Sequence, residues 1–274
     1  MRRSVGLMIV GVMFFFMHAA AQKTISTNGL TISFDKKLRI TELKGDKDYL
    51  PAGTEGYLLR VKAGDEVLLP KSAKWKGDEV KVTFDKGIQV TMTVRVKDAY
   101  LTFTVSDVKN EASVDALFYG PFPTTVNETI GEVIGVVRDG KYALGIQSLN
   151  AKTTGGKLAN SDGSDPSRGT TASKEKYGSA LQAYCINRNK ERVYSIWNNS
   201  IPDAHIPANP DGKLQGSAFA LFGTKEENVL DVIEKIELGE GLPHPTINGI
   251  WVKRSPDANK PYLITTFDEK KNCI

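Results

Sequence analysis

Alternation of apolar and polar residues between positions 79 and 106 is the feature that most limits what this 274-residue chain can form. Val80, Val82 and Phe84 alternate with Lys81 and Thr83, and Asp85-Lys86-Gly87 then reverses the chain. Val90, Met92, Val94 and Val96 alternate with Thr91, Thr93 and Arg95. After Lys97-Asp98-Ala99 the pattern resumes at Leu101, Phe103 and Val105. A period of two sends successive side chains to opposite faces of a strand, so these segments predict a three-stranded antiparallel meander with one dry and one wet face.

Similar hairpins are predicted by 30–34 with 38–43 and by 57–61 with 67–69. Asp139-Gly140 between 133–138 and 141–147 is a two-residue hairpin turn whose glycine tolerates positive φ. Further strands are expected at 114–119, 178–187, 192–197 and 214–222. Many short strands without βαβ alternation or internal repeats predict an all-β fold, a large antiparallel two-sheet β-sandwich over 22–223. One helix is expected within 224–260. Thr224 and Glu227 have the spacing of a capping box, Val229, Val232, Ile233 and Ile236 recur at helical spacing, and Gly239 or Gly241 can end the helix. Its apolar stripe must cover an edge or face of the sandwich. Gly241-Leu242-Pro243-His244-Pro245 then reads as a linker.

The first 21 residues are a separate object. Arg2 and Arg3 precede an apolar run at 5–17 and an Ala19-Ala20-Ala21 end, the pattern of a secretory signal peptide cleaved after Ala21. The run is too short to cross ~30 Å of hydrocarbon as a helix, and no later stretch is apolar enough. Export to the periplasm or the extracellular space is therefore expected, with no membrane span. The formal net charge is +4 and two of the positive residues lie in the leader, so there is no basic excess of the kind that nucleic acid requires. Of the two cysteines, Cys185 lies in an apolar run and Cys273 is next to last; a bridge between them is left open.

Chemistry-bearing residues are sparse. Once His18 leaves with the leader, His205 and His244 are the remaining histidines, and neither has the neighbours a zinc site needs. No Gly-x-Ser-x-Gly elbow and no phosphate-binding glycine loop occurs, and no metal or other cofactor is expected. The long polar loop at 150–176 holds Asp162 and Asp165, oxygen ligands of the kind Ca²⁺ takes, without EF-hand spacing; a solvated loop is the simpler reading. Glycoside hydrolysis needs two carboxyl groups a few Å apart. Asp115, Glu128 and Glu132 stand among apolar residues and are the acids expected to be buried, but spacing alone brings no two together. Trp75, Trp197 and Trp251 are candidate sugar platforms, the core being the alternative place for each. Trp197, followed by Asn198 and close to His205, is the first choice for a carbohydrate contact. His244, between two prolines, reads as a packing residue.

The C-terminal third carries a resemblance. Gly216-Ser217-Ala218-Phe219-Ala220-Leu221-Phe222-Gly223, the stretch from Ile236 to Pro245, Gly249-Ile250-Trp251 and Tyr262-Leu263-Ile264 resemble secreted bacterial glycoside hydrolase-like proteins of the α-galactosidase-like group. Ile134-Gly135-Val136-Val137 and the stretch from Ala143 to Asn150 fit the same picture. In such proteins a galactose-mutarotase-like supersandwich precedes a (β/α)₈ barrel. The resemblance implies that 262–267 is a first barrel strand, that Asp268 starts the next helix, and that 261–274 is the truncated opening of a barrel that is otherwise missing. Catalytic carboxylates of barrels stand at the C-terminal ends of their strands, so no catalytic residue carries over to this chain. The implied role is a non-catalytic module that supports the barrel and shapes the substrate cleft, with a glycan as ligand. Alternatives are a stand-alone carbohydrate-binding module and, third, a mutarotase-like sugar isomerase with a general acid and base in one groove.

Overall fold

The computed structural model describes residues 23–131, 135–156, 172–194 and 204–260. The leader at 1–21, Glu132, Asp162, Asp165, Trp197, Asn198, Cys273 and the 261–274 segment lie outside the described residues.

The fold is all-β with a single α-helix among the described residues. Strands β1 (Lys23–Ser26), β2 (Thr31–Phe34) and β3 (Ile40–Lys44) form a small antiparallel sheet. They are followed by β4 (Leu59–Ala63), β5 (Glu66–Leu68), β6 (Ser72–Lys76), β7 (Glu79–Thr83), β8 (Gln89–Val96) and β9 (Leu101–Lys109). Next come β10 (Ala116–Thr124), β11 (Thr129–Ile130), β12 (Gly135–Arg138), β13 (Tyr142–Ser148) and β14 (Thr154–Gly155). The chain continues with β15 (Ala172–Glu175), β16 (Gly178–Ile186), β17 (Arg192–Tyr194), β18 (Ala204–Ile206) and β19 (Ala218–Lys225). Helix α1 (Val229–Gly239) and the hairpin β20 (Thr246–Ile247) and β21 (Ile250–Trp251) complete it.

Two sheets make the sandwich. The larger has the order β11-β12-β13-β19-β9-β8-β7-β6; the smaller has β14-β16-β10-β4-β5, with β15 also paired to β16. The predicted meander is β7, β8 and β9. Val80 faces Met92, Val82 faces Val90, and Val94 faces Phe103, all buried. Val96 departs from the expected dry set: it is 56% exposed, because it stands at the end of β8 where the core has run out. A register shift follows Thr91, where Asp107 and Val105 become partners of successive residues. Ser106 is the extra residue, and this bulge moves the dry face from odd to even positions, bringing Val108 against the core. Turn chemistry behaves as expected at Asp139-Gly140, where Gly140 has φ 76° and the Asp139 carboxylate accepts the Tyr142 N–H at 2.9 Å.

Contact between the sheets is aromatic. Phe219 of β19 stacks on Phe103 of β9 with ring centroids 4.9 Å apart, and meets Tyr119 of β10 at 4.7 Å and Phe122 at 6.1 Å. The Tyr119 hydroxyl is hydrogen-bonded to Ser217 Oγ, so the buried phenol has a partner. Alternation then puts Ala220 and Phe222 on the opposite face of β19, where they pack with Val229, Val232, Ile233 and Ile236 of α1. The helix therefore covers the outer face of the larger sheet.

Its start differs from the expectation. Thr224 does not cap it, because the ladder to β13 runs on through Ala143–Thr224 and Tyr142–Lys225 pairs and holds Thr224 in the strand. A 3-10 turn at Glu226–Asn228 intervenes, and Asn228 precedes α1 without a side-chain capping bond. Gly241 provides the stop: it has φ 66°, and the Leu242 N–H reaches back to the Glu237 carbonyl at 2.8 Å, the six-to-one bond of a Schellman ending.

Close packing of the outer layer depends on Gly145, which faces Phe222 across the β13–β19 ladder. A Cβ there would lie 2.2, 2.4 and 2.9 Å from three atoms of the Phe222 ring, which is fully buried and has nowhere to move. Gly145→Ala is expected to destabilise the fold by about 1–3 kcal/mol, the usual cost of overpacking. Urea denaturation checks this; an unchanged midpoint would contradict the packing described.

Candidate functional site

Of the expected carbohydrate-contact residues, His205 is described and lies on β18 of the β17–β18 pair. Val193 pairs with His205 and Arg192 with Ile206, which places His205 on an exposed two-stranded ribbon. Its side chain is 65% exposed, and Nδ1 lies 3.3 Å from Glu191 Oε1. Trp197 and Asn198 belong to the connection between these strands and lie outside the described residues, so the geometry brings His205 to Glu191 and leaves the tryptophan unplaced.

Beside this hairpin, against the outer face of the smaller sheet, is a cavity of about 290 Å³ bordered by Lys62, Asp65, Asp115, Lys190, Glu191 and Arg192. Asp115 is half-buried and already committed. One oxygen accepts the Gly64 N–H at 2.6 Å and the other takes the Lys190 ammonium. The carboxylate thus ties the β4–β5 turn to the turn after β16, a structural anchor in place of the free acid that catalysis needs. Glu128, expected to be buried, is exposed: it precedes the two-residue edge strand β11, where no layer covers it.

The tryptophans divide. Trp75 on β6 is half-buried, with the Lys23 ammonium 5.2 Å from its ring centroid, and borders an open groove of about 780 Å³ with Asp78, Arg95 and Lys97. Trp251 is 4% exposed and cannot serve as a sugar platform. Its indole N–H donates to Glu237 Oε2 at 3.0 Å, and the ring stacks on His244 at 5.1 Å. The packing role expected of His244 is what its surroundings support. Its Nδ1 is 3.1 Å from the same Glu237 oxygen, and Nε2 is 3.5 Å from Glu234 Oε1.

Glu237 is the residue that sequence reasoning overlooked. It is 3% exposed and also receives the Lys253 ammonium, while Arg254 reaches Asp231 and Glu234. Three donors on one buried carboxylate clamp the 244–254 segment to α1. A signal was present: Glu237 falls four residues after Ile233, on the apolar stripe, where an unpaired acid would be costly.

A cleft of about 1010 Å³ opens where the β1–β2 turn, the β12–β13 turn and the start of α1 meet. Tyr142 forms its wall, stacked on Tyr49 at 4.3 Å, with its hydroxyl donating to the Gly29 carbonyl at 2.8 Å. Burial pushes both phenols well above their ordinary pKa, so they are neutral hydrogen-bond donors. Tyr49 donates to Asp46 at 2.6 Å, and that bond holds the Asp46 carboxyl below the usual range. Asp46, Asp98, Glu227 and Asp231 balance Lys44, Lys141, Lys225 and Lys235 around the cleft.

Among the described residues no three His, Cys, Asp or Glu side chains cluster as metal ligands, and no helix is long and apolar enough to cross a membrane. Cys185 is a free, buried thiol whose pKa is pushed up by burial. No protein-family model matches the chain, and no curated protein matches it.

Removing the Glu237 carboxylate leaves a buried indole N–H and two further donors without an acceptor. Glu237→Ala is expected to cost about 2–4 kcal/mol of stability and to speed proteolysis within 244–254. Glu237→Gln, which keeps an acceptor oxygen, is expected to lose less. Identical unfolding and cleavage for all three proteins would show that the segment is held by other contacts.

Proposed function

We propose that the chain is the non-catalytic β-sandwich module of an exported glycoside hydrolase-like protein acting in oligosaccharide or polysaccharide breakdown. In this reading the leader is cleaved after Ala21, the 261–274 segment opens a (β/α)₈ barrel, and the sandwich supports that barrel and shapes its substrate entrance. The observation that carries the reading is the Glu237 clamp. A connecting segment after a sandwich is ordinarily free to swing, yet here Trp251, His244 and Lys253 are fixed to α1 only a few residues before 261. A rigid departure is what a module needs if it is to hold a following domain in one orientation. The commitment of the Asp115 oxygens to Gly64 and Lys190 favours a non-catalytic role in the same way. Trp197, Asn198 and His205 are the proposed carbohydrate contacts; of these His205 stands on the β17–β18 ribbon, whose residues Arg192 and Val193 border a cavity.

A second reading, a stand-alone carbohydrate-binding module, is favoured by that cavity and by the Trp75 groove, since neither needs a second domain to be complete.

Turnover and coding sequence test the proposal. The chain by itself is expected to hydrolyse no aryl glycoside and to leave sugar anomerisation at its spontaneous rate, and the reading frame past codon 274 is expected to encode further barrel strands. Measurable turnover, or unrelated downstream sequence, would overturn it.

A further inference from the structure

The open edge of β1 faces the Trp75 groove. At the β1–β2 turn the Thr27 N–H donates to the Leu30 carbonyl at 2.8 Å, so Thr27–Leu30 is a hydrogen-bonded pair and, two residues along, so is Ile25–Ile32. The N–H and C=O of Thr24 and Ser26 therefore point away from β2. Since β1 is the last strand of its sheet, these groups have no partner among the described residues. Strand β8 offers a second free stretch. The Val94 N–H reaches the Asp78 carbonyl at 2.7 Å, but the ladder to β7 ends at the Glu79–Thr93 pair. Alternation turns the N–H and C=O of Val96 to the same side as those of Val94, where the β6–β7 turn has already taken the chain away. The Val96 side chain is 56% exposed, and both stretches line the same groove of about 780 Å³. Lys23, Arg95 and Lys97 stand around it against one lining acid, Asp78. Among the described residues none of these three cations makes an ion pair.

We infer that the groove receives an extended acidic peptide, a segment of a partner protein that adds to the β1 edge as a further strand. This goes beyond the module reading and does not depend on it. Main-chain bonds to an open edge supply affinity in such an addition, and alternate side chains supply specificity. Val96 continues the buried series Val90, Met92 and Val94, whereas Arg95 belongs to the wet face. An added strand that alternates apolar and acidic residues therefore meets Val96 on one side and the arginine on the other. A second copy of the chain fits less well, because pairing β1 with its two-fold mate brings two rims of net positive charge together. A glycan would be the occupant under the second reading above. The Trp75 ring, however, is half-buried against the core and already has the Lys23 ammonium 5.2 Å from its centroid, while the edge amides stand open.

Fluorescence anisotropy on the full chain tests this with a labelled peptide of alternating Glu and Val, its fully N-methylated analogue, its Lys-Val counterpart and labelled polygalacturonate. The Glu-Val peptide is expected to bind, more weakly as salt rises, and to slow hydrogen exchange at the Thr24, Ser26 and Val96 amides. The N-methylated and Lys-Val peptides are expected to bind at least about tenfold more weakly. Arg95 is exposed, so Arg95→Glu is expected to weaken the Glu-Val peptide about tenfold with an unchanged melting temperature. Ser26→Pro removes an edge donor without touching the ladder to β2 and is expected to abolish binding. No binding of the Glu-Val peptide, equal binding of its N-methylated analogue, equal binding by wild type and Arg95→Glu, or polygalacturonate bound as tightly as the peptide would each overturn the inference. A dimer that Ser26→Pro disperses would assign the edge to a second copy and overturn it too. None of these results bears on the module reading, which stands or falls on turnover and on the downstream coding sequence.

Discussion

Burial of β19 on both faces is the constraint from which the rest of the architecture follows. Every residue from Ala218 to Thr224 is buried, so this strand needs cover on two sides as well as partners at both edges. Phe219 and Leu221 face the smaller sheet, Ala220 and Phe222 face α1, and β13 and β9 flank it. A parallel sheet between helices would satisfy the same demand, but here the neighbours are antiparallel and arrive by hairpins. The result is a sandwich with a third, partial layer of helix and clamped segment. Each aromatic ring buried in this way contributes about 1.5–3 kcal/mol, and Phe219 contacts both sheets at once.

The two outer attachments use different physics. The helix is held by non-directional apolar packing, made close by a glycine under the Phe222 ring. The segment beyond it is held by directional bonds to one buried carboxylate. Apolar packing tolerates sliding, whereas three donors converging on Glu237 fix position and angle. Tyr142 repeats the glycine theme: a Cβ on Gly45 would come within 2.3 Å of its ring, and one on Gly223 within 1.9 Å of its hydroxyl. That ring in turn stacks on Tyr49 and joins the three-stranded sheet to the sandwich.

Local rules read the hairpins and the helix well because each depends on residues close in sequence. Asp139-Gly140 and the Gly241 ending are decided by backbone sterics, and the meander by its period of two. The misreadings have a common cause. Thr224 and Glu227 have the spacing of a capping box, yet pairing with β13 keeps Thr224 extended. Trp251 was a possible platform until Glu237, fourteen residues away, captured its N–H. Asp115 was an unassigned acid until Gly64 and Lys190 approached it from distant parts of the chain. Val96 shows the opposite error: its pattern was right for a dry face that ends one pair too early.

What the amino-acid order settles here is the class: alternation demands sheets, glycines and Asx residues place the turns, and one apolar stripe demands a helix with something to cover. Which face that helix covers and which acids are occupied were settled only by the tertiary structure. The physical reason is range. Backbone sterics and side-chain period act within a few residues, but a carboxylate in or near the interior is defined by what lies within hydrogen-bond reach, and for Asp115 and Glu237 those neighbours arrive from segments that the sequence does not place side by side.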